Sequence, residues 1–292
     1  MNSNEAAIVF ESHRPRLISI CYRMLGERAA SEDVVQDTWL RWAKTDQVAV
    51  NNPEAWLTRV ATRIAIDALR AAQRQRETYV GTWLPEPLIG SDNNAVETDY
   101  IQAQECGLAL LWAMERLDAS ERAAFILREA FDAEYAELAR ILSKSEAACR
   151  QMVSRARKRV QSSGPRFDVS DAQITGLITD FFAVAASGDF DAAVKMLAND
   201  AVALSDGGPT VRAVRRPLYG PEEIVGVMMA ILGKYIGQPG WRVEPCIANG
   251  LPALMQKVGS RVETIVTVVP DAQGRIAWMY SMRAPEKMLH LN

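Results

Sequence analysis

The spacing of apolar residues changes once along this chain, and the change divides the fold. Up to about Val184 the apolar positions recur every three or four residues, which is the helical period. Beyond Asp200 they alternate or run in short blocks bounded by Gly, Pro and Asp, which is the pattern of strands. A helical front joined to a strand-rich rear predicts a multidomain chain, all-α first and α+β after it.

The helical part reads in order. Residues 5–25 form one or two amphipathic helices ending near Gly26, with Pro15 as a possible break. A second helix from about Glu32 to Lys44 turns Val34, Val35, Thr38, Trp39 and Trp42 inward. Glu32, Asp33, Gln36, Asp37 and Arg41 face outward. Pro53 opens a third helix, whose polar stripe carries Arg59, Arg63, Arg70 and Arg74. Residues 77–97, with their Gly and Pro turns and the polar run 91–94, read as a linker. Helical period returns through Leu108, Leu111 and Met114, then Phe125 to Leu127, then Tyr135 to Leu142. After the turn Ser143, Lys144 and Ser145, a last helix buries Ala148, Met152, Val153, Ala156 and Val160. In the rear half, 201–205, 241–248, 253–258, 262–269 and 275–282 read as strands around one helix, 221–235.

Composition excludes several classes. Cys21, Cys106, Cys149 and Cys246 lie far apart without a C-x-x-C pair, and His13 and His290 are the only histidines. Zinc sites, disulfide frameworks and histidine catalysis are therefore not expected, nor is any cofactor. No apolar run reaches the roughly 18 residues of a membrane span, and the start lacks a secretory layout, so a cytoplasmic chain with no membrane partner is expected. The formal net charge of −3 argues against a nucleic-acid binder only as an average. Between residues 140 and 159 the bases Arg140, Lys144, Arg150, Arg155, Arg157, Lys158 and Arg159 meet one acid, Glu146.

Residues 135–159 thus give a short helix, a three-residue turn and a longer helix with a basic face. This is the layout of a helix-turn-helix, whose second helix enters the major groove. Ser145, Glu146, Arg150, Gln151, Ser154, Arg155, Arg157 and Lys158 are the side chains such a helix presents, and Arg, Gln and Glu are residue types that read base edges. A solvated basic face on a helical hairpin would look similar. The arginine stripe of the third helix, taken alone, reads as a soluble helix face, and beside the first basic face it becomes a second candidate phosphate track. A linker between two such tracks would let one chain hold two DNA sites at once. Trp39, Trp42 and Trp56 lie near the loop 45–52 and could stack on unpaired bases, although core packing is the reading for at least two of them.

Three stretches carry a family resemblance: SEDVVQDTWL at 31–40, NPEAWLTRVA at 52–61, and YAELARIL at 135–142 with Arg155-Ala156-Arg157. Together they resemble the bacterial sigma-70 factors, in their compact extracytoplasmic-function group. The resemblance implies region 2 over residues 1–78, a linker over 79–104 and region 4 over 105–163. By this likeness Asp33, Gln36, Asp37, Leu40 and Arg41 meet the beta-prime clamp helices of core RNA polymerase. Region 4 reads the minus-35 element of promoter DNA beside the beta flap. Asn51, Asn52 and Trp56 lie near the captured minus-10 base, with Arg59, Arg63, Arg70 and Arg74 along the duplex.

Most members of that group end after region 4, whereas this sequence continues to residue 292. Trp83-Leu84-Pro85-Glu86-Pro87, Asp206-Gly207-Gly208, Asn249-Gly250 and Ala284-Pro285-Glu286-Lys287 resemble a subgroup with a fused SnoaL-like domain, here 168–285. That domain is an α+β cone similar to nuclear transport factor 2. The likeness implies regulation in cis through Trp83, Leu84, Pro85, Asp206, Gly207 and Gly208, with no obligate separate anti-sigma factor and with room for a small ligand in the cone. Pro209 and Ala284 depart from the subgroup's usual D-G-G-G and N-P-D-K. An enzymatic cone would need an acid, and Asp206, Glu244 and Glu263 are the candidates. For Asp206 an Asp-Gly-Gly turn is the simpler role, so catalysis is not expected. The competing classes are a ligand-responsive helix-turn-helix regulator and a small-molecule enzyme with a DNA-binding half.

Overall fold

In the computed structural model, which describes residues 3–90, 106–161, 170–211 and 213–291, helix α1 (Ser3–Leu25) runs through Pro15 unbroken. Proline removes one helical hydrogen bond, but Leu17, Ile18, Ile20, Cys21, Met24 and Leu25 beyond it are all buried, and that face keeps the helix going. The polar run 91–94, Ile101 and the composition shift at 162–165 lie outside the described residues. Those that are described fall into two units: residues 3–78, 106 and 110–161, and residues 79–90, 107–109 and 170–291.

In the first unit α1 packs with α2 (Arg28–Ala43) and α3 (Pro53–Arg76). Helix α2 starts four residues before the expected Glu32, because Ser31 is buried and its hydroxyl bonds back to the Glu27 carbonyl at 2.6 Å. Trp42 is fully buried, and its indole N–H donates to the Ala6 carbonyl at 3.0 Å. Among the described residues up to Gln161 four further helices follow: α4 (Leu108–Met114), α5 (Ala119–Phe131), α6 (Tyr135–Leu142) and α7 (Glu146–Gln161). Asp118 starts α5 by accepting from the backbone N–H groups of Ser120 and Glu121, both at 2.9 Å. Arg122, buried, joins this group to α1: its Nε donates to the Arg23 carbonyl at 2.9 Å and its Nη1 pairs with Glu115. Glu115 also pairs with Arg76 of α3 at 2.5 Å.

The turn between α6 and α7 places Ser143 in the left-handed region, with φ 53°. Glycine usually fills that position. The Lys144 N–H closes α6 on the Ala139 carbonyl at 3.1 Å, and the Ser145 hydroxyl accepts from Ala148 N at 3.2 Å to start α7.

The second unit has the expected α+β build. Helix α8 (Asp171–Ser187) begins at a capping box formed by Ser170 and Gln173 and ends at Gly188, with φ 85°. Helices α9 (Phe190–Lys195) and α10 (Pro221–Leu232) accompany six strands: β1 (Leu197–Asp206), β2 (Leu218–Tyr219), β3 (Trp241–Ala248), β4 (Leu251–Val258), β5 (Arg261–Pro270) and β6 (Ile276–Met282). Their order is β2-β1-β6-β5-β4-β3, with β1 and β6 parallel and the other pairs antiparallel. Strand β1 begins earlier than the expected 201, and the two-residue β2 has no pattern long enough to foresee. Ile178, Phe181, Ile224, Val225, Leu254, Val266 and Met279 form the core between helices and sheet.

Among the described residues no helix is long and apolar enough to cross a membrane. Burial pushes the thiols of Cys106 and Cys246 up to about 11, and that of Cys21 up as well, which suits packing rather than reactivity.

Candidate functional site

Helix α7 buries Cys149, Met152, Val153, Ala156 and Val160 and exposes Glu146, Arg150, Gln151, Ser154, Arg155, Arg157 and Lys158, with Ser145 exposed just ahead of them. Its arginines are held in place. Arg150 pairs with Glu146 at 2.9 Å and lies over the Tyr135 ring at 4.9 Å. Arg157 pairs with Glu129 at 2.7 Å. Glu121 of α5, only 2% exposed, receives Arg155 at 3.2 Å and also Arg159. Sequence reasoning missed Glu121. The signal was a carboxylate inside the apolar run of α5, within reach of a basic helix. The four guanidinium groups of Arg150, Arg155, Arg157 and Arg159 are thus each held by a carboxylate while remaining exposed.

The loop before α3 is built by its own side chains. Asp46 accepts from Val48 N at 3.2 Å and shapes a 3-10 turn, Gln47–Ala49, while Asn52 accepts from Ala55 N at 2.9 Å and caps α3. Behind it lies a cleft of about 350 Å³, lined on one side by Asn51, Asn52, Trp56 and Arg59 and on the other by Glu137, Arg140 and Ile141 of α6. Of the three tryptophans, Trp42 is core and Trp39 packs on Phe10 at 5.1 Å. Only Trp56, resting on Trp42 at 5.3 Å, reaches the cleft.

The arginine stripe of α3 is not one continuous open track. Arg63 donates from Nε to the Ile141 carbonyl at 2.9 Å, and from Nη2 to the Arg140 carbonyl and the Ser143 hydroxyl at 3.0 Å each. It thus caps the C-terminal end of α6, where unpaired carbonyls and the helix dipole favour a cation. Arg70 reaches Asp67 at 3.2 Å and Ser120 at 3.3 Å, whereas Arg74 is exposed. Arg63→Ala is expected to cost about 1 to 2 kcal/mol. Hydrogen exchange should show it as faster exchange at the Lys144 amide, with the α1 to α3 core unchanged. Equal protection in both proteins would remove the capping role.

On α2, Asp33, Gln36, Asp37, Leu40 and Arg41 are all exposed, opposite the buried Val34, Val35, Thr38 and Trp42. Leu40 is a large apolar residue open to solvent in an otherwise polar row.

In the second unit, the segment read as a linker is clasped by the α+β domain. Asp206 is 1% exposed at the end of β1. One carboxylate oxygen accepts from the Tyr79 hydroxyl at 2.6 Å and Gly208 N at 2.9 Å, and the other from Leu84 N and Lys287 Nζ, both at 2.8 Å. Lys287, 7% exposed, also donates to the Leu84 carbonyl at 2.6 Å and lies over the Trp83 ring at 4.2 Å. Leu84, Pro85, Pro87 and Leu88 are buried, and Trp83 is half-buried. Gly208 has φ 63°, and a side chain there would meet the Glu286 carboxylate. Further along, Leu88 N donates to Asn249 Oδ1 at 3.1 Å, Asn249 N returns to the Leu88 carbonyl at 2.8 Å, and Ile89 bridges to Ala248. Residues 88–90 thereby extend the sheet at the far end of β3. Lys287 stood in the motif at the end of the chain, yet nothing local in the sequence gave it this role.

Comparison with known proteins follows the same division. The Sigma-70 region 2 family matches residues 9–75 and the Sigma-70, region 4 family matches residues 108–160. ECF RNA polymerase sigma factor SigJ of Mycobacterium tuberculosis is 36% identical over 231 residues, which are 77% of this chain and 73% of that protein. Probable ECF RNA polymerase sigma factor SigI of the same organism is 27% identical over 190 residues, 64% of this chain and 65% of its own length. The crystal structure of the M. tuberculosis extracytoplasmic function sigma factor SigJ covers 96% of this chain and 97% of its own, at a TM-score of 0.75 and 30% identity.

Proposed function

Because the chain belongs to the extracytoplasmic-function sigma factors of RNA polymerase, an alternative sigma factor that binds core enzyme and promoter DNA to direct transcription initiation, we propose that each of its exposed surfaces has one task in that process. Helix α7 reads the minus-35 element through Ser145, Glu146, Arg150, Gln151, Ser154, Arg155, Arg157 and Lys158, close to the beta flap. The loop 45–52 with Trp56 receives the minus-10 base, and Arg59, Arg70 and Arg74 steer the backbone, whereas Arg63, expected on that track, is engaged on the end of α6. Asp33, Gln36, Asp37, Leu40 and Arg41 dock on the beta-prime clamp helices. The protein works in the cytoplasm, without an obligate anti-sigma partner, its output set by the C-terminal domain through Trp83, Leu84, Pro85, Asp206, Gly207 and Gly208.

The observation that carries the DNA-reading part is α7 itself, with its complete polar row over a buried apolar face. A regulatory rather than catalytic rear domain is supported by what its acids do. The hydrogen bonds described for the Asp206 carboxylate go to Tyr79 and Leu84 of the linker, to Lys287 and to Gly208 of its own turn. Glu244 is held below the usual carboxylate range by hydrogen bonds from Arg242 and Lys257, the opposite of what a general acid needs.

The test is promoter binding by holoenzyme against salt concentration, with Arg150→Ala and Arg155→Ala. Loss of a phosphate contact is expected to flatten the logarithmic salt slope by about 0.9. Loss of a base contact costs about 1 to 3 kcal/mol at one promoter position. Affinity and slope unchanged in both variants would remove α7 from the reading.

A further inference from the structure

Most arginines along α3 and α7 are already engaged. Arg63 closes the end of α6, Arg70 meets Asp67, Arg76 meets Glu115, and four guanidinium groups of α7 hold carboxylates. Arg59 of α3 and Arg140 of α6 are not. They line opposite walls of the cleft of about 350 Å³ behind the loop 45–52. Among the described residues neither has an ion-pair partner, and the Arg140 side chain makes one hydrogen bond, to the Ala136 carbonyl a turn back at 3.3 Å. Glu137, on the α6 wall, is the acid that lines the cleft among the described residues.

Two guanidinium groups facing one concave space with a single carboxylate leave a net positive charge there, and low-dielectric walls concentrate its field. An anion is what such a space lacks. The rest of the lining suits a flat ring. Trp56, half-buried and braced on Trp42 at 5.3 Å, reaches the cleft from one side, with Ile141 of α6 on the other. Asn51 is exposed, and Asn52 uses its side-chain oxygen on Ala55 N, which leaves its amide N–H groups as donors beside the acceptor Glu137. A volume of about 350 Å³ lies at the small end of ligand sites, which run from about 300 to 1,000 Å³. It suits one ring with one phosphate rather than a length of strand.

We propose that this cleft binds a free nucleoside monophosphate. The phosphate lies between Arg59 and Arg140, the base stacks on Trp56, and Asn51, Asn52 and Glu137 meet its edge. The ligand thereby bridges α3 and α6. It shares Trp56 and Arg59 with a captured promoter base, but its second wall is α6, and it needs neither promoter nor polymerase.

The test uses the full-length protein without DNA or core enzyme, titrated calorimetrically with AMP and GMP and, in parallel, with adenosine, guanosine and inorganic phosphate. Saturable binding of at least one nucleotide is expected, with its nucleoside and inorganic phosphate each weaker by about tenfold or more, a difference of about 1.4 kcal/mol. Arg59→Ala and Arg140→Ala should each weaken the nucleotide by a similar factor. Both should melt as the wild type does, because neither guanidinium holds a partner beyond the Ala136 carbonyl. Wild-type protein that binds neither nucleotide would overturn the site. A nucleoside or phosphate bound as tightly as the nucleotide would overturn the ligand class, and full affinity in either variant would overturn the bridge. Because no promoter enters this titration, its failure leaves the DNA-reading role of α7 and the loop to be judged by the salt series alone.

Discussion

Replacing Asp33 and Asp37 together by Lys is expected to abolish co-elution with core RNA polymerase while leaving the fold intact. Both carboxylates are exposed on α2, on the side away from Val34, Val35 and Trp42, so no buried contact depends on them. Surface charge changes of this kind usually alter stability by no more than about 0.5 kcal/mol each. At the proposed interface the same reversal would set lysines where the partner meets carboxylates, and like-charge juxtaposition costs several kcal/mol. Two reversals would weaken association by about a thousandfold or more, since each 1.4 kcal/mol is tenfold. Gel filtration with core enzyme, alongside a melting curve, reads both halves of the expectation. Leu40→Ala serves as the apolar counterpart: the exposed leucine beside the acids should contribute to binding and nothing to folding. A charge-reversed protein that still co-elutes stoichiometrically would take α2 out of the polymerase contact.

How much of this was legible in the sequence varies with the range of the interaction. The inward and outward sides of α2 and α7 are local, fixed by residues three and four apart, and periodicity alone separated Asp33 from Val34 and Arg155 from Ala156. The strands were placed well where alternation lasts for several residues, as in β3, and missed where only Leu218 and Tyr219 pair with β1. At Pro15 periodicity leaves one helix or two open, and the face buried on both sides of it, which keeps the helix whole, is a tertiary effect. The polar contacts were the least legible. Arg63 caps a helix 78 residues away, Glu121 anchors arginines 34 and 38 residues on, and Lys287 reaches back 203 residues to the Leu84 carbonyl. No period or spacing encodes partners at that separation. The motifs around Trp83, Asp206 and Lys287 marked the positions, but not the bonds that join them.

The pair formed by Asp206 and Lys287 should produce the largest stability effect in the chain. Both groups are nearly inaccessible, and their remaining capacity is taken by the linker: Leu84 N and the Tyr79 hydroxyl on the carboxylate, the Leu84 carbonyl and the Trp83 ring on the ammonium. Taking away one partner leaves an uncompensated buried charge, which costs about 3 to 5 kcal/mol. Lys287→Met is therefore expected to lower the stability of the second unit by that amount and to free residues 79–90 for limited proteolysis. Replacing both, Asp206→Asn with Lys287→Met, removes the stranded charge and should recover part of the loss, so the two changes are non-additive. Gly208→Ala offers a steric route to the same end, since the added methyl would displace Glu286 beside Lys287. If the clasp on the linker sets transcriptional output, Lys287→Met and removal of residues 166–292 should shift runoff transcription in the same direction at matched holoenzyme levels. A protein whose residues 79–90 become cleavable while its transcription equals that of the full-length chain would leave the clasp a structural seam with no regulatory effect. Unchanged stability in Lys287→Met would mean that the Asp206 carboxylate is adequately held by Tyr79, Leu84 and Gly208 alone.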